Sequence, residues 1–438
     1  MRRIALPFAL AMALLRPPGA GAASTPTEAA AIAAAEQDHT AYALPAEKLV
    51  QSDALIRVRI ALLFGSPIWA IIVLLLMLEL GIAARMRNVA VNLSKNRWAQ
   101  GFTFFFLLLL LTTLVSLPLD MYEHHVQSAY GLSVQHWGSW WGDQVKSWAL
   151  AFVLGALGVM LLFFLIRKFP RSWWLWLWFP AMAFVVLGVF ASPYVIDPLF
   201  NHFEPLSKSN PALVSELEQV VSRGKGINIP PERMFLMKAS DKVTTLNAYV
   251  TGFGASKRVV VWDTSIAKGT PDEMLFIFGH EMGHYVLGHI VRGILFSFVM
   301  MLVLFFFGFH LFQFLLRRFG QRWSIRGPDD WAALALLVLV SSALSFISQP
   351  LLSAFSRAQE HEADVYGQEV VHGIIANPQA TAQSAFQVLG ENSLSNPNPP
   401  EWVTFWAGDH PPIWFRAAFG KRYDPWAPDA APKYFPKQ

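Results

Sequence analysis

Hydrophobic residues in this chain are concentrated in six long stretches, which polar segments of unequal length separate. Each stretch is close to the ~20 apolar residues that a helix needs to cross the hydrocarbon core of a bilayer. The stretches lie at 58–82, 101–117, 147–166, 173–195, 290–316 and 331–355. The pattern predicts a mainly α fold, a polytopic membrane helical bundle with four spans over 58–195 and two over 290–355.

The polar segments between and beyond the spans predict a small α+β domain. Residues 196–289 have the mixed composition of a soluble domain, residues 356–422 continue it after the last span, and 423–438 form a tail. Within this domain, 247–251 and 259–262 flank a glycine-containing turn, which predicts a β-hairpin. The hairpin either has a purely structural role or offers an edge that pairs with an extended peptide.

The N-terminal part of the chain has a different pattern. Two arginines precede an apolar run, and small residues follow at 20–22, so residues 1–23 are typical of a secretory signal peptide. An uncleaved membrane anchor is the alternative, because Arg16 and two prolines interrupt the approach to the cleavage point. Residues 24–57 are polar and alanine-rich and show no clear fold signal.

Basic residues are unevenly distributed between alternate connections of the spans. The loop 118–146 contains only Lys146, whereas the connections after spans one, three and five are rich in Lys and Arg. These basic residues are Arg85, Arg87, Lys95, Arg97, Arg167, Lys168, Arg171, Arg317, Arg318, Arg322 and Arg326. Because basic loops remain in the cytoplasm, we expect the soluble domain to lie outside the cytoplasm. Together with the signal-like N-terminus, this orientation fits a protein of a bacterial inner membrane.

Composition supports a membrane protein and narrows its chemistry. Hydrophobic residues make up 54% of the 438 residues and charged residues 15%, and the mean hydropathy is +0.38. The absence of cysteine excludes disulfides, thiol catalysis and cysteine-ligated zinc, so a zinc ion would need His and carboxylate ligands. The net charge of +4 is spread over loops without a basic stripe, so no nucleic-acid partner is expected.

One short motif carries the strongest chemical signal. His280, Glu281 and His284 form H-E-x-x-H, and Thr270 with Glu273 forms a capping box that predicts the start of its helix. Positions four apart lie on the same face of a helix. The two imidazoles can therefore bind one metal ion, with the carboxylate of Glu281 beside the fourth coordination position.

A third ligand must come from elsewhere in the chain. A continuous helix would place His289 nearly opposite His280, so we expect it to support the site or the fold rather than to bind the metal. Glu360 and Asp364 share one helical face, so that one can bind the metal while the other accepts a hydrogen bond from a liganding imidazole. His361 and Glu362 are further candidates on spacing alone, and a solvated acidic turn is the alternative to a site.

Several separate segments of residues 58–422 together resemble one family, the integral-membrane zinc metallopeptidases typified by the type-I CAAX prenyl proteases. The segments are Pro118-Leu119-Asp120, Tyr130-Gly131-Leu132-Ser133, Pro198-Leu199-Phe200-Asn201 with Phe203 and Pro205-Leu206, Asn247-Ala248-Tyr249, Val261-Trp262-Asp263-Thr264, the residues from His280 to His289, Arg357-x-x-Glu360-x-x-Ala363-Asp364, and His410-Pro411-Pro412 with Arg416. The resemblance implies that the spans enclose a chamber and that one Zn²⁺ per chain is bound near one face of the membrane.

The resemblance also implies a role for particular residues. Glu360 matches the third metal ligand, and Asp364 is implied to hydrogen-bond to a ligand. Asn247 and Tyr249 are implied to bind the substrate. His410 and Arg416 are implied to face the reacting carbonyl, although by themselves they fit a turn and a surface charge.

The implied activity is endopeptidase hydrolysis by a zinc-activated water, with Glu281 accepting the proton of the water. We expect peptide or protein substrates that are lipidated, hydrophobic or membrane-associated, and a bilayer around the spans. The eukaryotic members have an additional N-terminal span and a cytosolic catalytic side, whereas this chain has a signal-like segment and an outward charge bias. Cleavage of misfolded or membrane-associated peptides fits a bacterial envelope better than CAAX processing. A transporter or a non-catalytic metal-binding scaffold is the alternative function.

Overall fold

The structure, a computed structural model, describes residues 24–224, 228–252 and 257–437, so the predicted signal at 1–23 lies outside the described residues. The helices are α1 (Pro26–Ala35), α2 (Ala46–Glu79), α3 (Ile82–Leu93), α4 (Arg97–Ala129), α5 (Trp137–Lys168), α6 (Trp173–Ala191), α7 (Asp197–Phe200), α8 (Leu206–Ser209), α9 (Pro211–Arg223), α10 (Asp263–Lys268), α11 (Pro271–Val286), α12 (His289–Phe319), α13 (Ala333–Val370), α14 (Pro378–Asn392), α15 (Glu401–Ala407) and α16 (Ile413–Arg422). The strands are β1 (Phe203–Pro205), β2 (Met234–Met237), β3 (Ala248–Thr251) and β4 (Arg258–Trp262).

Six of the described helices are long and apolar enough to cross a membrane: α2, α4, α5, α6 with its continuation to Phe200, α12 and α13. Each of the six predicted spans overlaps one of them, which confirms the membrane bundle. Helix α13 has 38 residues and is about 57 Å long at 1.5 Å per residue. It therefore crosses the bilayer and projects well beyond it, and this projecting part carries Glu360 and Asp364.

The three basic connections meet at one end of the bundle, which we call the basic end (residues 80–96, 169–172 and 320–332). Their apolar side chains share one buried cluster with the neighbouring helices. Arg87 Nη1 lies 2.6 Å from Asp330 Oδ2, and both side chains are buried. Because α2 ends and α13 begins at the basic end, the start of α2 and the end of α13 lie at the opposite end, with the sheet. We call this the sheet end.

The four described strands form one small sheet in the order β1-β2-β4-β3. β3 pairs antiparallel with β4, Ala248 opposite Val261, so the predicted hairpin is confirmed, although residues 253–256 of its turn lie outside the described residues. Ala248 and Val250 of β3 pack with α11 in the main core. Tyr249, one position between them, packs on the other face of the sheet.

The segment 24–57 contains a complete short helix, α1, although its sequence shows no clear fold signal. Thr25 and Glu28 form a capping box that starts α1, and α1 packs on α16 near the other end of the chain. The Glu28 carboxylate is 1% exposed and accepts hydrogen bonds from Lys433 Nζ at 3.0 Å and from His361 Nε2 at 3.2 Å. The segment before α2 is therefore part of the sheet end.

Candidate metal centre

Two helices build the centre, and glycines let them approach closely. The capping box of Thr270 and Glu273 is present at the start of α11, as the sequence predicts. A Cβ added at Gly279 would lie 2.8 Å from the Val370 side chain, and one added at Gly367 would lie 2.7 Å from the backbone nitrogen of His280. Only glycine fits at these positions, and the resulting close contact brings the H-E-x-x-H motif of α11 against α13.

The contact brings three donor side chains together. His280 Nε2 and His284 Nε2 are 3.1 Å apart, His280 Nε2 is 3.3 Å from Glu360 Oε2, and His284 Nε2 is 3.4 Å from Glu360 Oε1. In a tetrahedral site with metal–ligand bonds of about 2.0–2.2 Å, two ligand atoms are about 3.4 Å apart. The three residues are the one group in the described chain with donor atoms close enough to hold a metal.

The surroundings of Glu360 also fit a cation. Its Oε2 is buried and has no hydrogen-bond partner among the described residues, although His410 Nε2 lies 3.2 Å away. A buried carboxylate oxygen without a partner is costly, and coordination to a metal would compensate it. Two imidazoles and one carboxylate are also a donor set that leaves a position for water or substrate.

Asp364 and Arg416 lie behind His280. The Nδ1 of His280 is 2.8 Å from Asp364 Oδ1, and Arg416 binds both carboxylate oxygens of Asp364, at 2.9 and 2.7 Å. Arg416 Nη2 is also 3.6 Å from Glu360 Oε2. Arg416 is 8% exposed, so it is not a surface charge. The carboxylate of Asp364 thus contacts both the ring nitrogen of His280 and the guanidinium of Arg416, an arrangement that can fix the orientation of a liganding imidazole.

His289 lies behind His284. A continuous helix would instead place it on the face opposite His280. Helix α11 ends at Val286, and Gly288 has a φ of 72°, a left-handed conformation that glycine adopts readily. The chain therefore turns before α12, and His289 Nδ1 lies 2.9 Å from His284 Nδ1. The structure thus places His289 against one of the two imidazoles of the motif, and its assumed position opposite His280 is wrong.

Other candidate ligands on α13 have different partners. Glu362 Oε2 lies 3.1 Å from His289 Nε2 and 2.7 Å from Arg292 Nη1. His361 faces the buried Glu28. Spacing alone leaves Glu362 and His361 open as ligands, and the structure instead places Glu360 beside the two imidazoles.

Electrostatics at the centre favour a bound cation. Burial disfavours a charged ring, but the nearby carboxylates of Asp364 and Glu360 outweigh it and raise the pKa of His280 to about 10. Burial and the charge on His280 lower the pKa of His284 to about 3. One positive charge thus faces two carboxylates, and a metal ion supplies that charge when both imidazoles are neutral ligands. Burial also raises the pKa of Glu281 to about 7, which suits a group that accepts and returns a proton.

The remaining predicted residues lie at different distances from the centre. His410 is half exposed, and its Nδ1 is 2.8 Å from Asp409 Oδ1. The side chain of Asn247 is exposed at the start of β3, and its backbone is held by Ser265. Tyr249 packs on the sheet face opposite α11, so its side chain is not brought together with the donors.

Comparison with known proteins agrees with this architecture. The family model described as CAAX prenyl protease N-terminal, five membrane helices, matches residues 37–202. The model of peptidase family M48 matches residues 207–420. The second match contains both the H-E-x-x-H helix and Glu360.

Individual relatives give the same result. An uncharacterised metalloprotease of Bacillus subtilis, YhfN, is 38% identical over 317 residues, which cover 72% of either chain. CAAX prenyl protease 1 of Saccharomyces cerevisiae is 33% identical over 204 residues, or 45% of this chain and 43% of the yeast protein. The crystal structure of S. mikatae Ste24p superposes with a TM-score of 0.70 over 90% of this chain and 95% of the other, at 24% identity, which supports the fold. The chain therefore belongs to peptidase family M48 and is an integral-membrane metallopeptidase.

Proposed function

We propose that the chain is a zinc endopeptidase of a bacterial inner membrane that cleaves hydrophobic or membrane-associated peptides outside the cytoplasm. The observation that carries this proposal is the convergence of His280, His284 and Glu360 with ligand spacing, beside the half-buried Glu281. Zinc suits this set because it accepts imidazole and carboxylate ligands in a tetrahedron. When bound, zinc lowers the pKa of a water molecule and polarises the scissile carbonyl.

Glu281 acts as the general base in this proposal. It accepts a proton from the attacking water and delivers it to the leaving amine. The charges of His280, Glu360 and Arg416 all act on its carboxylate, which supports its position beside the reacting atoms. Its raised pKa favours both halves of this proton transfer.

We assign different roles to His410 and Arg416. Arg416 uses Nε and Nη2 to bind Asp364, so we assign it mainly to holding the Asp364–His280 pair. His410 Nε2 lies 3.2 Å from Glu360 Oε2, and its Nδ1 lies 2.8 Å from Asp409 Oδ1. An N–H at Nε2 can donate a hydrogen bond to the developing oxyanion. His410 is therefore our candidate for oxyanion stabilisation.

Two features support an extended, hydrophobic substrate. β3 is one of the two edge strands of the described sheet and packs against α11, so a peptide added beside it would run near the centre. Asn247 stands exposed at the start of this edge and can bind the peptide backbone, whereas Tyr249 would act through the opposite face. A cavity of about 370 Å³ lies within the bundle, and its lining is largely apolar. Examples of the lining residues are Leu162, Trp173, Leu177, Met300, Leu304 and Val340.

Charge and chain order both support an outward centre. The three basic connections meet at the end of the bundle opposite the centre, and such loops remain cytoplasmic. The segment that follows the predicted signal docks at the sheet end through Glu28. Export of that segment would therefore place the centre outside as well.

Zinc content and peptide cleavage should be measured together in detergent-purified wild type, Glu281→Gln and Glu360→Ala. We expect one zinc per chain with cleavage in the wild type. Glu281→Gln should keep zinc and lose about 10²–10⁴-fold in turnover, whereas Glu360→Ala should lose zinc. Glu391→Gln, which changes a partly exposed carboxylate paired with Lys48, is the matched control. Wild-type turnover in Glu281→Gln, or folded wild type without zinc and activity, would contradict the proposal.

Orientation can be tested directly because the chain has no cysteine. Single cysteines at exposed positions, Glu218→Cys at the sheet end and Lys95→Cys at the basic end, can be treated with a membrane-impermeant maleimide in intact bacteria. We expect labelling of Glu218→Cys alone, and of both variants after lysis. Labelling of Lys95→Cys alone would reverse the proposed orientation.

A further inference from the structure

The second imidazole of the H-E-x-x-H motif has a support of its own. His284 Nε2 faces His280 and Glu360, so Nε2 is the atom available to a metal. Its other nitrogen, Nδ1, has neither a carboxylate nor a carbonyl partner among the described residues. It lies 2.9 Å from Nδ1 of His289, and His289 is 4% exposed.

This contact assigns the protons if His284 is a ligand. A neutral imidazole that binds through Nε2 carries its proton on Nδ1. His284 Nδ1–H must then donate to His289 Nδ1, which accepts only if the proton of His289 is on Nε2. That second N–H points at Glu362 Oε2, 3.1 Å away. Each nitrogen therefore has one role, without conflict.

The far end of the chain of hydrogen bonds is fixed by an ion pair. Arg292 Nη1 donates to the same oxygen of Glu362 at 2.7 Å, and Arg292 and Glu362 are both largely buried. Arg292 and His289 lie on the first turn of α12, whereas Glu362 is on α13. The pair thus connects the start of a membrane helix to the helix that carries Glu360.

We infer that His289, Glu362 and Arg292 form a relay that fixes the tautomer and ring orientation of His284 and so sets the metal affinity of the centre. This inference rests on the proposed zinc-peptidase function. The three are positioning residues, since they act through His284 and do not themselves reach the metal. Glu362 and Arg292 hold His284 as Asp364 and Arg416 hold His280. The difference is an additional imidazole, because the end of the helix at Gly288 places His289 between His284 and the carboxylate of Glu362.

The test measures the zinc dissociation constant by competition with a chelator, in detergent-purified full-length protein. His289→Leu and Glu362→Leu each interrupt the relay and should weaken zinc binding about 10–100-fold, as for other partners of liganding imidazoles. Glu362→Gln keeps a carbonyl acceptor for His289 and should stay closer to the wild type than Glu362→Leu. His361→Leu, which removes a neighbouring imidazole that contacts Glu28 instead, is the matched control.

The double variant separates a relay from independent contacts. His289→Leu with Glu362→Leu should bind zinc no more weakly than the weaker single variant, because both remove the same chain of hydrogen bonds. Glu362→Leu combined with Asp364→Asn should raise the zinc dissociation constant by the product of the two single fold-changes, since each substitution acts on a different imidazole. Zinc affinities of His289→Leu and Glu362→Leu within twofold of the wild type would overturn the relay. A wild type that binds zinc but cleaves no peptide would instead overturn the proposed function, and a relay effect on affinity would still be measurable.

Discussion

Two buried arginine–aspartate pairs lie at opposite ends of the molecule, and their closest distances are almost the same. Arg87 is 2.6 Å from Asp330 at the basic end, and Arg416 is 2.7 Å from Asp364 at the sheet end. All four residues are less than 9% exposed. The pairs cannot be distinguished by length or burial, so their roles must follow from what surrounds them.

Among the described residues, the pair at the basic end hydrogen-bonds only to groups that hold the connections together, and we call it the closed pair. Arg87 also donates to the carbonyl of Ser324 and to Asn88, and Asp330 accepts from the backbone nitrogen of Arg326. These bonds join two connections of the bundle, 80–96 and 320–332. Such a network stabilises the fold, and within the described chain it does not extend to a ligand atom that lacks a partner.

The pair at the sheet end extends to the candidate metal ligands, and we call its contacts the open network. Asp364 also contacts His280, and Arg416 approaches Glu360, whose Oε2 has no hydrogen-bond partner within the described ranges. The network therefore ends at an atom that still needs a partner. The comparison of the two pairs shows that a buried ion pair does not by itself identify the functional end of the molecule. A potential ligand atom without a hydrogen-bond partner is the better indicator.

Metal removal should have the largest effect and act at the sheet end alone. Dialysis against a chelator should reduce peptide cleavage by at least about 10³-fold, because several kcal/mol of transition-state stabilisation is lost. Readdition of zinc should restore cleavage. Circular dichroism should show unchanged helix content, and a large loss of helix on chelation would contradict a locally confined role.

Arg87→Ala should have the next largest effect, on stability rather than on activity. It leaves the Asp330 carboxylate buried and unpaired, which costs about 3–5 kcal/mol. Denaturant unfolding in detergent, followed by tryptophan fluorescence, measures the loss. Turnover per folded, zinc-loaded molecule should remain within about twofold of the wild type, and a selective loss of zinc would show that the two ends are coupled.

Asp364→Asn should have an intermediate effect, on the metal. The amide has nearly the same shape, but His280 and Arg416 both lose a charged partner, so zinc affinity should fall about 10–100-fold. Chelator competition measures this change. An affinity equal to that of the wild type would mean that the open network does not serve the metal.

The smallest effect is expected when both members of the closed pair are replaced. Arg87→Met with Asp330→Leu removes both charges and should recover most of the stability that Arg87→Ala loses, to within about 1–2 kcal/mol of the wild type. The same unfolding measurement applies. The corresponding replacement of Arg416 and Asp364 should leave a folded protein that does not retain zinc. Equal zinc retention by the two double variants would remove the distinction between the ends.

The sequence predicts those features that local patterns encode. Six apolar stretches of sufficient length predict the spans, because every backbone polar group in a membrane must be satisfied within a helix. The two histidines of H-E-x-x-H lie on one face of a helix whose start is also written locally, by Thr270 and Glu273. The pairing of β3 with β4 is local in the same sense.

The features that the sequence does not predict depend on distant contacts or on a break in regular structure. Helix α1 contacts residues far away in the sequence, such as Lys433, which lies 405 positions after Glu28, although the capping box of Thr25 and Glu28 is a local sign of the helix. His289 joins the site only because the helix ends before Gly288, and a glycine just beyond a helix is a known stop signal. The period of two along β3 already separates Tyr249 from Ala248.

The contact between Glu28 and Lys433 has a consequence for biosynthesis. The two residues are separated by 405 positions, and at about 5–20 residues per second the ribosome needs roughly 20–80 s to make the chain between them. For most of that interval the Glu28 carboxylate lacks both of its side-chain donors, since His361 is made 333 positions and Lys433 405 positions after it. The contact of α1 with Lys433 can therefore form only after all six of the described spans have been made.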